Sequence, residues 1–152
     1  MNGVPLHPQL VHFPIVLITI SFVFDLVGTI RNSKNWINFG GILMIIAIVS
    51  AFAALQSGEM AEDLIRPMSD SLHEAVEEHE EMATTTFFLV LFMGIARGWL
   101  QIKGFFTGWK RWVYVGLAGI AMAMILRVGH LGGKLVYLHG AGVTKSTNSQ
   151  LE

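Results

Sequence analysis

Six histidines are the residues of this chain best suited to chemistry: His7, His12, His73, His79, His130 and His139. There is no cysteine. That excludes disulfides, thiolate metal sites, iron–sulfur ligation and covalent haem attachment. Neutral imidazole remains, a ligand for Zn, Cu or Fe ions and an axial ligand for haem iron. The spacing of the histidines acquires meaning once the elements that carry them are placed.

The chain has 152 residues, 53% of them hydrophobic, with only 10 basic and 11 acidic side chains. An average soluble domain of this length would carry roughly 38 charges. The shortfall excludes disorder, and a net charge of −1 leaves no nucleic-acid footprint. Four apolar blocks account for it. They predict membrane spans at about 13–31, 36–57, 82–100 and 112–138, each near the roughly 20 residues that cross the hydrocarbon. The first two blocks are apolar on every face, which argues against a soluble bundle of four buried helices. The expected fold is therefore all-α: a polytopic membrane protein built as a four-helix bundle. Residues 1–150 form one domain with a loop over 58–81. The terminal Leu151-Glu152 reads as a cloning scar. No basic residue precedes the first block and no Ala-x-Ala-like site follows it, so it is not expected to be a cleaved signal peptide.

Charge sets the expected orientation. The short loops near 31–35 and 97–111 carry Arg31, Lys34, Arg97, Lys103, Lys110 and Arg111, and no acid. The 58–81 loop carries nine acids and one base, Arg66. The positive-inside rule puts the basic loops in the cytoplasm and both termini outside, in a bacterial-type inner membrane. Trp36, Trp99, Trp109 and Trp112 mark the cytoplasmic interface as an aromatic belt. Gly40-Gly41 and Gly116-x-x-Gly119 suggest close helix packing.

On this topology all six histidines fall in the external half. His12 lies at the start of span one, on a segment stiffened by Pro8 and Pro14; His7 lies just before it. His79 precedes span three, on a helix expected to begin at a Ser71-x-x-Glu74 capping box. Ala83 and Thr86 share its face. His139 ends span four, with Gly132 and Gly133 two turns inside it. His12, His79 and His139 are expected to converge at the external face, with His7 joining or supporting them. His73 reads as a solvated residue among acids, and His130 as a buried residue with one hydrogen-bond partner. Asp25 is the only acid inside a span, roughly 18 Å down, and Arg97 lies at roughly 21 Å, so the two are expected to form a structural ion pair.

His7-Pro-x-x-Val-His12-Phe-Pro-Ile and Gly132-Gly133-x-Leu-Val-Tyr137-x-His139-Gly140-x-Gly-Val closely resemble the signatures of the membrane family catalogued as domain of unknown function 2231. A histidine opening span three and an arginine closing it, here His79 and Arg97, are similar too. The resemblance covers nearly the whole chain and implies four membrane helices. Some relatives are fused to Rieske or c-type cytochrome domains, which implies electron transfer by association.

Three functions fit these residues. The first is electron transfer by a b-type haem held by His79 with His12 or His139, with space supplied by Thr86, Gly132 and Gly133, and a quinone or external redox protein as partner. The second is a non-haem Zn, Cu or Fe site formed by His7, His12, His79 and His139. The third is a cofactor-free scaffold subunit, with a homo-oligomer as one arrangement. No nucleophile–base pair or phosphate-binding loop marks an enzyme.

The topology is checked with single cysteines introduced at Ser33 and Ser69 and an impermeant thiol reagent on intact cells. Position 69 should label and position 33 should not. The reverse pattern would overturn the orientation.

Overall fold

The computed structural model describes residues 6–63, 65 and 67–142. They form five helices: α1 (His7–Leu10), α2 (His12–Ile30), α3 (Lys34–Asp63), α4 (Asp70–Ile102) and α5 (Trp109–Tyr137). α1 and α2 together make one membrane-length segment, His7–Ile30, broken only at Val11. Pro14 has no N–H to offer the Leu10 carbonyl, which accounts for a break at that point. α3, α4 and α5 are likewise long and apolar enough to cross a membrane. The chain is thus an antiparallel four-helix bundle. The first long segment packs on α3 and α5, and α4 packs on α3 and α5. The pairs α2/α4 and α3/α5 are the diagonals of a square.

Within the 58–81 connection, helix is expected only from the Ser71 capping box onward; the structure has more. α3 runs on to Asp63 and α4 begins at Asp70. The N-cap is Ser69, not Ser71: its hydroxyl accepts from the Leu72 N–H at 3.4 Å. Ser69 has the extended backbone that a cap needs, whereas Ser71 already lies inside the helix. At 1.5 Å per residue the 33 residues of α4 span about 50 Å, against about 30 Å of hydrocarbon. The extra turns carry the acidic residues of α3, and those of α4 as far as Glu78, beyond the apolar zone, while Glu80 and Glu81 lie at its boundary. One membrane thickness back from Trp99 reaches His79, and one forward from Trp36 reaches Ser57.

Small side chains fill the interior: Ala47, Ala51, Ala54, Ala118 and Ala121 are buried beside Ile18, Met44, Val90 and Ile125. Large ones point outward, among them Ile45, Val49, Phe52, Phe92, Ile95 and Ile120. This inverts the soluble pattern. Lipid solvates the outer face, and small residues let the helices approach.

Asp25 and Arg97 meet in this interior, 1% and 2% exposed. One Nη of Arg97 donates to the Asp25 carboxylate and the other to the Ile37 carbonyl. The bond crosses from α2 to α4, along a diagonal where the backbones do not touch. It is possible because Gly40 lies against the carboxylate and Gly41 against the guanidinium. Phe106 and Tyr114 close the site from the other side, with ring centroids 5.1 and 4.9 Å from Cζ of Arg97. Arg97 is therefore spent inside the bundle and does not count among the loop bases that set orientation. Five remain: Arg31, Lys34, Lys103, Lys110 and Arg111.

Of the two glycine motifs, Gly40-Gly41 packs against this ion pair. Gly119 faces the Phe22 ring, and a side chain at Gly116 would meet nothing within 4 Å. Asp25→Leu should cost about 3–5 kcal/mol of stability, because it strands a buried guanidinium. Asp25→Asn should cost less, and Asp25→Leu with Arg97→Leu less than the sum of the two single changes. Gly40→Ala should resemble Asp25→Leu, since the new methyl would stand 2.8 Å from Cγ of Asp25; Gly116→Ala should be neutral. Thermal unfolding in detergent checks these, and strict additivity of the double mutant would remove the pair.

Candidate functional site: a two-histidine pair at the acidic end

The structure brings together His7 and His79. Their ring centroids lie 6.4 Å apart with the planes at 88°. Each ring is held by a neighbouring helix. His7 projects from the first turn of α1, where Pro8 fixes the backbone. Its Nδ1 lies 3.0 Å from the Ala54 carbonyl and 2.9 Å from the Ser57 hydroxyl, both on α3. The Ser57 hydroxyl itself donates to the Ala54 carbonyl at 2.8 Å. A carbonyl can only accept, and a hydroxyl whose proton is already committed can only accept too. Nδ1 of His7 must therefore carry the proton. In the neutral ring Nε2 is then a bare lone pair.

His79 lies one diagonal away on α4, its ring facing the Val128 carbonyl of α5. Its Nδ1 is buried and has no hydrogen-bond partner. Both rings rest on glycines. A Cβ at Gly58 would stand 3.3 Å from Cε1 of His7, and one at Gly132 would stand 3.3 Å from Cε1 of His79. All four long segments thus contribute: a histidine from α1, a carbonyl and glycine from α3, a histidine from α4, a carbonyl and glycine from α5. His7, anchored through Nδ1 to a backbone carbonyl with Nε2 free, has the arrangement metal-ligating histidines adopt, while the unpartnered Nδ1 of His79 lies on the Gly132 side of its ring.

The expected convergence of His12, His79 and His139 does not form. The partner of His79 is His7. His12 and His139 are exposed, as are His73 and His130. The reason is helical phase: His7 and His12 are five residues apart, about 140° of rotation on a regular helix, so only one of them can face inward. His139 lies past the end of α5, beyond the last inward-facing turn. His73 pairs with Glu77 at 3.5 Å on the exposed face of α4. His130 is not buried as expected. It lines an outward concavity with Gly133, Lys134, Tyr137 and Leu138. Among the described residues no group of three or more His, Cys, Asp or Glu is placed to hold a metal ion, so the expected grouping of four histidines is not formed, and His7 and His79 are the two that meet.

The space-filling residues also change roles. Gly132 sits beside His79 rather than His139. Thr86 is buried, but its hydroxyl donates to the Met82 carbonyl at 2.7 Å within its own helix. Sequence reasoning missed Ser57 and Gly58, although Gln56-Ser57-Gly58 is where the apolar run of span two ends. It also missed Phe106 and Tyr114 around Arg97.

A four-helix membrane bundle with a paired-histidine end layer and a buried Asp–Arg layer near the other end is the class that these features define. Residues 3–145 match the family described as predicted membrane protein (DUF2231), and the chain belongs to that family. No curated protein and no solved structure matches the chain.

The tautomer is open to measurement. In metal-free protein, 15N shifts of histidine-labelled chain should show His7 protonated at Nδ1 and bare at Nε2 at neutral pH and above. An Nε2–H form of His7 would contradict the geometry around Ser57.

Proposed function

We propose that this protein is an integral membrane metal-binding protein whose site is the His7–His79 pair at the external end of the bundle. The observation that carries the reading is the pair itself. Two half-buried imidazoles approach to 6.4 Å. His7 is anchored to a carbonyl through one nitrogen, leaving the other as a lone pair, and His79 keeps a buried nitrogen without a partner. A ring nitrogen lies about 1.1 Å from its centroid and a metal–nitrogen bond is about 2.0–2.1 Å, so two rings facing across one ion would have centroids about 6.3 Å apart. The acidic residues of α3 and α4, including Glu59, Glu77 and Glu78, would raise the local concentration of cations. The charge bias between the bundle ends supports placing this end outside a bacterial-type inner membrane, with both termini external. The remaining partner in this reading is the lipid bilayer.

A b-type haem for electron transfer to a quinone or external redox protein is the second reading. The same ring separation favours it, because axial ligation is also near-linear. It ranks below the ion because each ring already lies against a glycine backbone, at Gly58 and Gly132. A porphyrin needs a flat opening at that level. The cofactor-free scaffold is the outcome left if neither group binds.

Protein purified in detergent should carry about one transition-metal ion per chain, measured by elemental analysis, with no Soret band. His79→Ala and His7→Ala should each lower metal content at least about tenfold, while His73→Ala, His12→Ala and His139→Ala leave it unchanged. Occupancy should fall as the solution is acidified through the histidine range, because protonated imidazole is not a ligand. A Soret band that disappears in His79→Ala would establish the haem reading instead. Metal content indifferent to both histidines would end the site.

A further inference from the structure

We infer that the ion at the His7–His79 pair is monovalent copper. This rests on the metal-binding reading above and adds the identity of the ion. Three features of the pair point the same way.

The first is angle. Four-coordinate Zn²⁺ holds its ligands at tetrahedral angles, which would draw two ring centroids to about 5.2 Å at ordinary bond lengths. The observed centroid separation of 6.4 Å matches the near-linear spacing rather than the tetrahedral one. A closed-shell d10 monovalent ion accepts two collinear neutral nitrogens as a complete coordination sphere. Zn²⁺ does not.

The second is donor count. No third His, Cys, Asp or Glu among the described residues joins the two rings. Structural zinc almost always takes four ligands, and catalytic zinc takes three from protein. A divalent ion here would complete its shell with water at the membrane boundary. A two-coordinate ion needs nothing more.

The third is charge. Both ligands are neutral, and both rings are half-buried at the level where the apolar zone begins. The cost of taking an ion out of water rises with the square of its charge, so a divalent ion without an anionic ligand is penalised far more than a monovalent one. Methionine thioethers, soft donors that suit Cu(I), stand at the same end. Met60 is exposed two residues beyond Gly58, and Met82 lies on α4 one turn inside His79.

The test uses the full chain in detergent, anaerobic, with Cu(I) buffered by a colorimetric Cu(I) chelator and Zn(II) titrated in parallel. One Cu(I) should be retained per chain and no Zn(II). His79→Ala should weaken Cu(I) binding at least about 100-fold, whereas His7→Met should stay within about tenfold, because a thioether serves Cu(I) and not Zn(II). Gel filtration and helicity confirm that each variant is folded, and His7→Met keeps the test decisive if His79→Ala is not. Zn(II) retained through both histidines, with Cu(I) lost to the chelator, would overturn the copper assignment and leave the metal site standing. A folded chain that retains neither ion would overturn both.

Discussion

Inside a bilayer there is no water to satisfy a polar group, so each one that enters must find its partner in the protein. The Asp25–Arg97 bond is where this constraint bears hardest, and the surrounding structure is arranged to meet it. It joins two helices on a diagonal. It recruits a carbonyl from α3 through Ile37 and two aromatic faces, Phe106 and Tyr114, from the chain leading into and through α5. It requires glycine at 40, where a side chain would occupy the space of the carboxylate, and it presses close on Gly41, where a Cβ would stand 3.3 Å from the guanidinium. Four helices with weak amphipathicity have little else to fix their rotation. A buried charge pair whose separation would strand both members fixes it strongly.

A second polar layer lies near the other end, built on the same plan with a different outcome. There too a diagonal pair, His7 and His79, is supported by backbone carbonyls and glycines of the intervening helices. At the basic end charge answers charge through the Asp25–Arg97 bond, although Oδ1 of Asp25, Nε of Arg97 and the Tyr114 hydroxyl are buried without a hydrogen-bond partner among the described residues. At the acidic end two neutral rings face each other, His7 with a bare nitrogen and His79 with a nitrogen that has no partner. Between the layers lie Ile18, Met44, Ala47, Val90 and Ala121, all buried and apolar. One layer therefore serves as the structural tie. The other holds the nitrogens to which the proposed function assigns the ion, at the end richer in acidic residues.

Much of this was legible in the sequence. The four spans followed from the apolar blocks, and counting rises placed Asp25 and Arg97 at matching depth. The histidine cluster was legible as to which end it occupies, not as to which residues meet. His7 and His12 differ in depth by little more than a turn. Which of them faces inward depends on the rotation of the first helix against α3, and that rotation is set by contacts such as Ser57 with His7 that no single-segment pattern reveals. The same holds for Gly132, whose neighbour proved to be a histidine on another helix. The apolar run of span two ends near Ser57, yet α3 continues as helix to Asp63, because the acids beyond the apolar zone stand in water, where charge does not oppose helix. Arg66 lies outside the described residues, as do residues 1–5 and 143–152.

The central claim is that His7 and His79 coordinate one ion between them. X-ray absorption at the metal edge of the loaded, detergent-purified chain tests it most directly. The account predicts a low-coordinate copper centre whose shell is two imidazole nitrogens at about 2 Å, with their outer-ring scattering aligned as for near-linear coordination, and loss of that signal in His79→Ala. A shell of four or more oxygen and nitrogen neighbours, unchanged when His7 and His79 are both replaced, would contradict it.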